Sequence, residues 1–163
     1  MLHHVYSVAC RSTSVEQFTN NYSLNTIVEG LRLQTSQPVS VTNPPQMIPF
    51  ALQIVTCWFN DAEVDERGRQ RMTLQNPAGD TLIQHEVELA VPARANFRTT
   101  GRVPGIPYTG NGVYWFNVSL QKGDSWETVA RVPLVVEILA RQPEAAPAGA
   151  TASPAANPTP AAQ

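Results

Sequence analysis

The sequence predicts an all-β protein: a single antiparallel β-sandwich of about eight strands, immunoglobulin-like or jelly-roll in arrangement. Three observations carry that expectation. Short runs rich in Val, Ile, Leu, Thr and aromatic residues recur along the chain. Turn-forming punctuation separates them at short intervals, as in NPPQ (43–46), NPAGD (76–80), VPGIPYTGNG (103–112) and KGD (122–124). Helical periodicity is missing, apart from SVEQF (14–18), which has a helix-start pattern but room for one turn at most.

Strands are expected at 2–9, 22–33, 48–60, 69–76, 81–91, 94–103, 112–121 and 126–139. In the third, Phe50, Leu52, Ile54, Thr56 and Trp58 alternate with Ala51, Gln53, Val55, Cys57 and Phe59, so both faces are apolar and the strand should be central. The fourth and fifth flank the NPAGD turn, and His85 falls on the apolar side of the fifth with Ile83, Val87, Leu89 and Val91, the pattern of a core histidine with a satisfied nitrogen. The sixth carries Arg94, Arg98 and Arg102 on one face, with Asn96 and Thr100 between them. In the seventh, Tyr114, Phe116, Val118 and Leu120 face the core and leave Trp115 on the more polar side. The eighth is half-buried: Trp126, Ala130, Val132, Leu134, Val136 and Ile138 share a face, while Pro133, which donates no ladder hydrogen bond, marks an edge or a bulge.

A chain of 163 residues that is 42% hydrophobic is one domain, expected over 1–142. From 143 to 163 the composition is nearly all Ala, Pro, Thr and Ser, with no large apolar side chain to offset ordering entropy, so a disordered Ala/Pro-rich tail is expected there. A net charge of -2 supplies no cationic excess for nucleic acid or an anionic membrane, and neither is expected as a partner. No apolar window approaches the roughly 18 residues a spanning helix needs. MLHHVYSVAC lacks the basic and apolar regions of a signal peptide, so the expected localisation is cytoplasmic. There Cys10 and Cys57 are free thiols acting as small buried hydrophobes, and the sequons at Asn21 and Asn117 are idle.

Three segments carry a resemblance: TNNYSLNTIVEGL (19–31); PFALQIVTCWF (49–59) with an acidic loop, RQRMTLQNPAGD (69–80) and a further strand; and GNGVYWFNVSLQKGDSWETVARVPLVVEI (110–138). The chain resembles an uncharacterised family of short bacterial all-β proteins with immunoglobulin-like sandwich architecture. That resemblance implies a fold and a bacterial setting and brings no activity. Tyr114, two residues after Gly112, resembles the tyrosine corner of such sandwiches.

Candidate chemistry is sparse. Asp61, Glu63, Asp65 and Glu66 put four acids in one loop, the weak outline of a calcium site, but the ligand spacing departs from an EF-hand and Arg67, Arg69 and Arg71 follow closely enough to neutralise them. His3 and His4 are adjacent and point to opposite faces of a strand. Neither a nucleophile elbow nor a phosphate loop or dinucleotide fingerprint is present, so no catalytic residue and no cofactor are assigned. Trp115, with Tyr108 in the long Pro/Gly loop, suits a protein partner, and the Arg94, Arg98 and Arg102 row suits a phosphate or carboxylate. The expected function is that of a non-catalytic module that binds another protein, self-associates or serves a structural role. The alternatives are a small-ligand, carbohydrate or anion-binding sandwich and a hydrolase whose site only folding assembles.

Overall fold

The structure, a computed structural model, describes residues 1–16, 21–35 and 39–140. Within them are eleven strands: β1 (Leu2–Val15), β2 (Tyr22–Ile27), β3 (Gly30–Thr35), β4 (Gln46–Ile48), β5 (Leu52–Asn60), β6 (Glu66–Gln75), β7 (Thr81–Val91), β8 (Asn96–Val103), β9 (Ile106–Tyr108), β10 (Gly112–Lys122) and β11 (Ser125–Ala140). They form a four-stranded sheet in the order β2-β1-β5-β8, a five-stranded sheet β3-β11-β10-β6-β7 and a small β4-β9 ladder. No helix among the described residues is long and apolar enough to cross a membrane.

The doubly apolar run is central, as its alternation predicts: β5 lies between β1 and β8. Leu52, Ile54 and Trp58 of β5 join Leu74, Phe116, Val118 and Leu134 of the five-stranded sheet in one buried cluster, so the two larger sheets share a core. A hydrogen bond also links them: the Trp58 indole Nε1 donates to Oε1 of Gln70 on β6 at 2.7 Å. Both cysteines are free and buried, and burial pushes the Cys10 thiol pKa up. On the far face of β5, Val55 and Cys57 are also fully buried, flanked in register by Val8, Tyr6, Arg98 and Thr100.

The strand plan needs correction at four points. The run 22–33 is two strands in different sheets: Thr26 takes a left-handed φ of 55°, Val28 turns inward, and β3 leaves to pair with β11. That pairing is parallel, so the five-stranded sheet is mixed rather than antiparallel. The run 48–60 is broken at Pro49, which separates β4 from β5, and the long Pro/Gly loop contains β9, the partner of β4. Trp126 does not share the core face of β11. Val118 pairs with Ala130 and Ser119 with Thr128, so Val129 is an extra bulged residue, and everything before it is turned to the opposite side.

Other expectations meet simple outcomes. Ser14 and Val15 of the helix-like SVEQF belong to β1, and 17–18 lie outside the described residues, as does the Ala/Pro tail from 143. Pro133 sits on the stretch of β11 that β3 does not reach, since β3 pairs only from Val135 onward, and its missing N–H therefore breaks no ladder there. The Tyr114 hydroxyl donates back to the Gly110 carbonyl at 3.0 Å and accepts the Thr109 N–H at 2.8 Å, the return bond expected of a tyrosine corner.

Candidate binding face

β10 points Trp115, Asn117, Ser119 and Gln121 away from the core, and its neighbours extend each into a cross-strand row: Gln75–Trp115–Pro133, Thr73–Asn117–Arg131 and Arg71–Ser119–Thr128, with Gln121 opposite Trp126. Gln121 lies six positions along β10 from Trp115, so the backbone positions of Trp115 and Trp126 stand about 20 Å apart along the strand. Each indole carries a guanidinium. Arg131 lies 4.3 Å from the Trp115 ring centroid and Arg71 lies 4.0 Å from that of Trp126, with Arg69 at 5.9 Å. Stacking of this kind leaves the N–H edge of a guanidinium free to meet oxygen acceptors.

Hydrogen bonds order the side chains between the two indoles. Arg131 Nε donates to Asn117 Oδ1 at 3.1 Å, Asn117 Nδ2 approaches Thr73 Oγ1 at 3.5 Å, and the Ser119 and Thr128 hydroxyls meet at 3.2 Å. Glu86 on β7 takes both Arg71 and Arg69, at 2.9 and 2.8 Å. The face dips into a depression of about 580 Å³ whose lining includes Arg71, Thr73, Asn117, Trp126 and Arg131 and no acidic residue. Counting Arg69, Arg71 and Arg131 against Glu86 gives 3 − 1 = +2, a cationic face on a chain of net charge -2. Arg67 and Glu88, farther along the same face, cancel each other.

Of the residues singled out from the sequence, Trp115 alone belongs to this face. Tyr108 is 6% exposed and packs in the core, its hydroxyl donating to Asn111, so it offers no surface. The row Arg94, Arg98, Arg102 loses its first member: Arg98 and Arg102 share a face of β8, but Arg94 is off the strand. Arg94 precedes β8, has a φ of 51° and pairs with Glu63, while Arg98 donates from Nε to the Tyr6 hydroxyl at 3.2 Å and lies over the Tyr22 ring. That hydrogen bond to Tyr6 raises the Arg98 pKa. Arg102 is exposed and shares a depression with Arg11.

The four loop acids diverge. Asp61 accepts from the Met1 amino group at 2.6 Å and meets His3 at 2.8 Å; Glu66 takes the same amino group; Asp65 accepts the Ala93 N–H; and Glu63 takes Arg94. Their neutralising partners are therefore not Arg67, Arg69 and Arg71. The Met1 amino group, followed by His3, lowers the Asp61 pKa to about 2. Among the described residues no three His, Cys, Asp or Glu side chains converge to hold a metal.

Folding does assemble one His–Ser pair, His4 Nε2 to Ser7 Oγ at 2.9 Å. Ser7 also meets Oγ1 of fully buried Thr56, and the His4 ring packs edge-on against fully buried Trp58, so the pair is directed inward. Burial lowers the His4 pKa. His85 is not a buried core histidine. It is exposed, because β7 is an edge strand of its sheet and its inner face opens onto a cleft opposite β8. No family model matches this chain, and no curated protein does.

The partners of Trp115 were not visible in the sequence. Arg131 is sixteen positions away along the chain (131 − 115) and reaches the ring only through the β10–β11 register. Trp126 was missed for a different reason, the bulge at Val129, which no composition signal announces.

Proposed function

We propose that this protein is a non-catalytic binding module, an immunoglobulin-like β-sandwich of bacterial, cytoplasmic setting, that docks an acidic segment of another protein on the outer face of its five-stranded sheet. The observation that carries the reading is the pair of stacked Arg–Trp units, Arg131 on Trp115 and Arg71 on Trp126, whose two guanidiniums line a polar, cationic depression. Trp and Arg dominate interface hot spots because they combine large contact area with directional donors. Holding them in place beforehand lowers the ordering cost of binding. The positive face favours an acidic partner over a second copy of itself, since an isologous dimer would bring like charges together.

The test is affinity capture from the source cells with three variants, Trp115→Ala, Trp126→Ala and Arg131→Glu. The expected outcome is a specific partner retained by the parent protein and lost from each variant, with melting temperatures nearly unchanged. Retention by all three variants would sink the reading. A second reading draws on the Thr, Ser, Asn and Gln lining between the indoles: a linear oligosaccharide could stack on Trp126 and exchange hydroxyl hydrogen bonds with Asn117 and Thr128. Binding to a glycan array that Trp126→Ala abolishes would favour it.

A further inference from the structure

β7 and β8 are each an edge strand of one of the two larger sheets, and between them runs a narrow cleft of about 190 Å³. Gln70 and Met72 of β6, His85, Val87 and Glu88 of β7, and the stretch Phe97–Gly101 of β8 line it; Glu88 is set by alternation toward the outer face, in register with Arg69. Gln70 is only 5% exposed, and its amide orientation is determined by chemistry. The Trp58 indole N–H can only donate, so the atom it meets at 2.7 Å is Oε1, which also accepts the Thr99 hydroxyl at 2.7 Å. Nε2, with its two N–H donors, is then left without a partner. No buried side-chain nitrogen or oxygen lacks a hydrogen bond among the described residues, so this amide nitrogen touches accessible space, and the accessible space that Gln70 lines is the cleft.

The cleft therefore offers an apolar wall of Met72, Val87 and Phe97, one unpaired amide donor that a nearly buried Gln70 presents to it, and a histidine at its mouth. Its size suits a single ring: a cavity of about 150 Å³ accepts benzene, and 190 Å³ leaves room for one small substituent. A carboxylate would fit poorly. The nearest cation, Arg98, is turned to the opposite face of β8, where it bonds Tyr6 and covers Tyr22, and an ion buried against an uncharged donor keeps most of its desolvation penalty. Close packing at the floor depends on Gly101, where an added Cβ would stand 2.9 Å from Met72 Sδ.

We propose that the cleft is a small-molecule site for a neutral single-ring compound bearing a hydrogen-bond acceptor, its ring against Met72, Val87 and Phe97 and its acceptor on the Gln70 amide. This inference is independent of the partner face, which lies on the other side of the five-stranded sheet.

The experiment is an NMR titration of the full chain with benzamide as probe, with toluene and benzoate as comparisons. Benzamide is expected to shift the Gln70 side-chain amide and the backbone amides of His85, Val87 and 97–101. Toluene, lacking the acceptor, should bind about tenfold more weakly, and benzoate more weakly than benzamide. Val87→Trp, which fills the cleft beside Gln70, should abolish the shifts while the rest of the spectrum stays folded. His85→Ala, which removes no hydrogen bond, should leave benzamide binding within about twofold. Absence of shifts at these residues, persistence of binding in folded Val87→Trp, or equal affinity for toluene and benzamide would each overturn the proposal.

Discussion

Replacing Gln70 by Leu would keep the side chain's bulk while leaving the Trp58 indole N–H and the Thr99 hydroxyl without their shared acceptor. A buried donor left unsatisfied costs about 1–3 kcal/mol, so Gln70→Leu should lower stability by that amount in urea unfolding. Gly112 makes a similar case through the backbone. Its φ is +146°, and an added Cβ would lie 2.9 Å from Pro77 Cγ. Gly112→Ala should therefore cost about 1–3 kcal/mol, whereas Ala at Gly79, where nothing stands within 4 Å, should be penalised only for its φ of +95°. Asp61 gives a pH dependence. Its folded pKa of about 2 lies below the usual carboxylate value of about 3.9, so its ion pairs stabilise the fold above that value and lose their effect as pH falls toward 2. Asp61→Asn should flatten the acid limb of a stability-against-pH curve in that window while changing little at pH 7, where the pair is exposed and screened.

Strands whose faces are set by simple alternation were legible before any coordinates: β5 and β10 have the predicted inward residues, and the predicted bounds of β7 match. What escaped was set by backbone irregularity. In 22–33 the apolar positions change phase, from Tyr22 and Leu24 to Leu31 and Leu33, and a single left-handed residue, Thr26, lies where the two halves part to different sheets. Likewise the extra residue Val129 inverts the faces of Trp126 and Glu127 without altering the hydrophobic pattern downstream. Half of the binding face was hidden for this reason, and the cleft was hidden because the edge position of β7 is a property of sheet order. Deleting Val129 tests the point directly. Without it Ala130 still faces Val118 and Thr128 still faces Ser119, now in a regular ladder, so Trp126 should keep its outward face and its Arg71 stack, and the expected loss is that of Val129's own partly buried side chain, about 1 kcal/mol. A loss of Trp126 from its Arg71 stack, read by a large drop in the urea midpoint, would mean that the bulge itself and not the register holds residues 125–128 in place.

At the scale of the whole molecule, most pairings join strands far apart in the chain: β1 with β5, β5 with β8 and β3 with β11. Loop-closure entropy must be met before such contacts stabilise anything, so folding should take milliseconds to seconds, measurable by stopped-flow fluorescence of buried Trp58. Microsecond refolding would contradict it. The β3–β11 pair has a further meaning for a chain that emerges from the ribosome in one direction. Gly30 pairs with Val135, so β3 is made about a hundred residues before its sole sheet neighbour. At roughly 5–20 residues per second, that is a wait of about 5–20 seconds during which Leu31 and Leu33 have no strand beside them. β11, the last strand among the described residues, thus covers an edge made near the start of the chain, and a nascent chain stalled before 135 would present that edge to chaperones or to its neighbours on the same message.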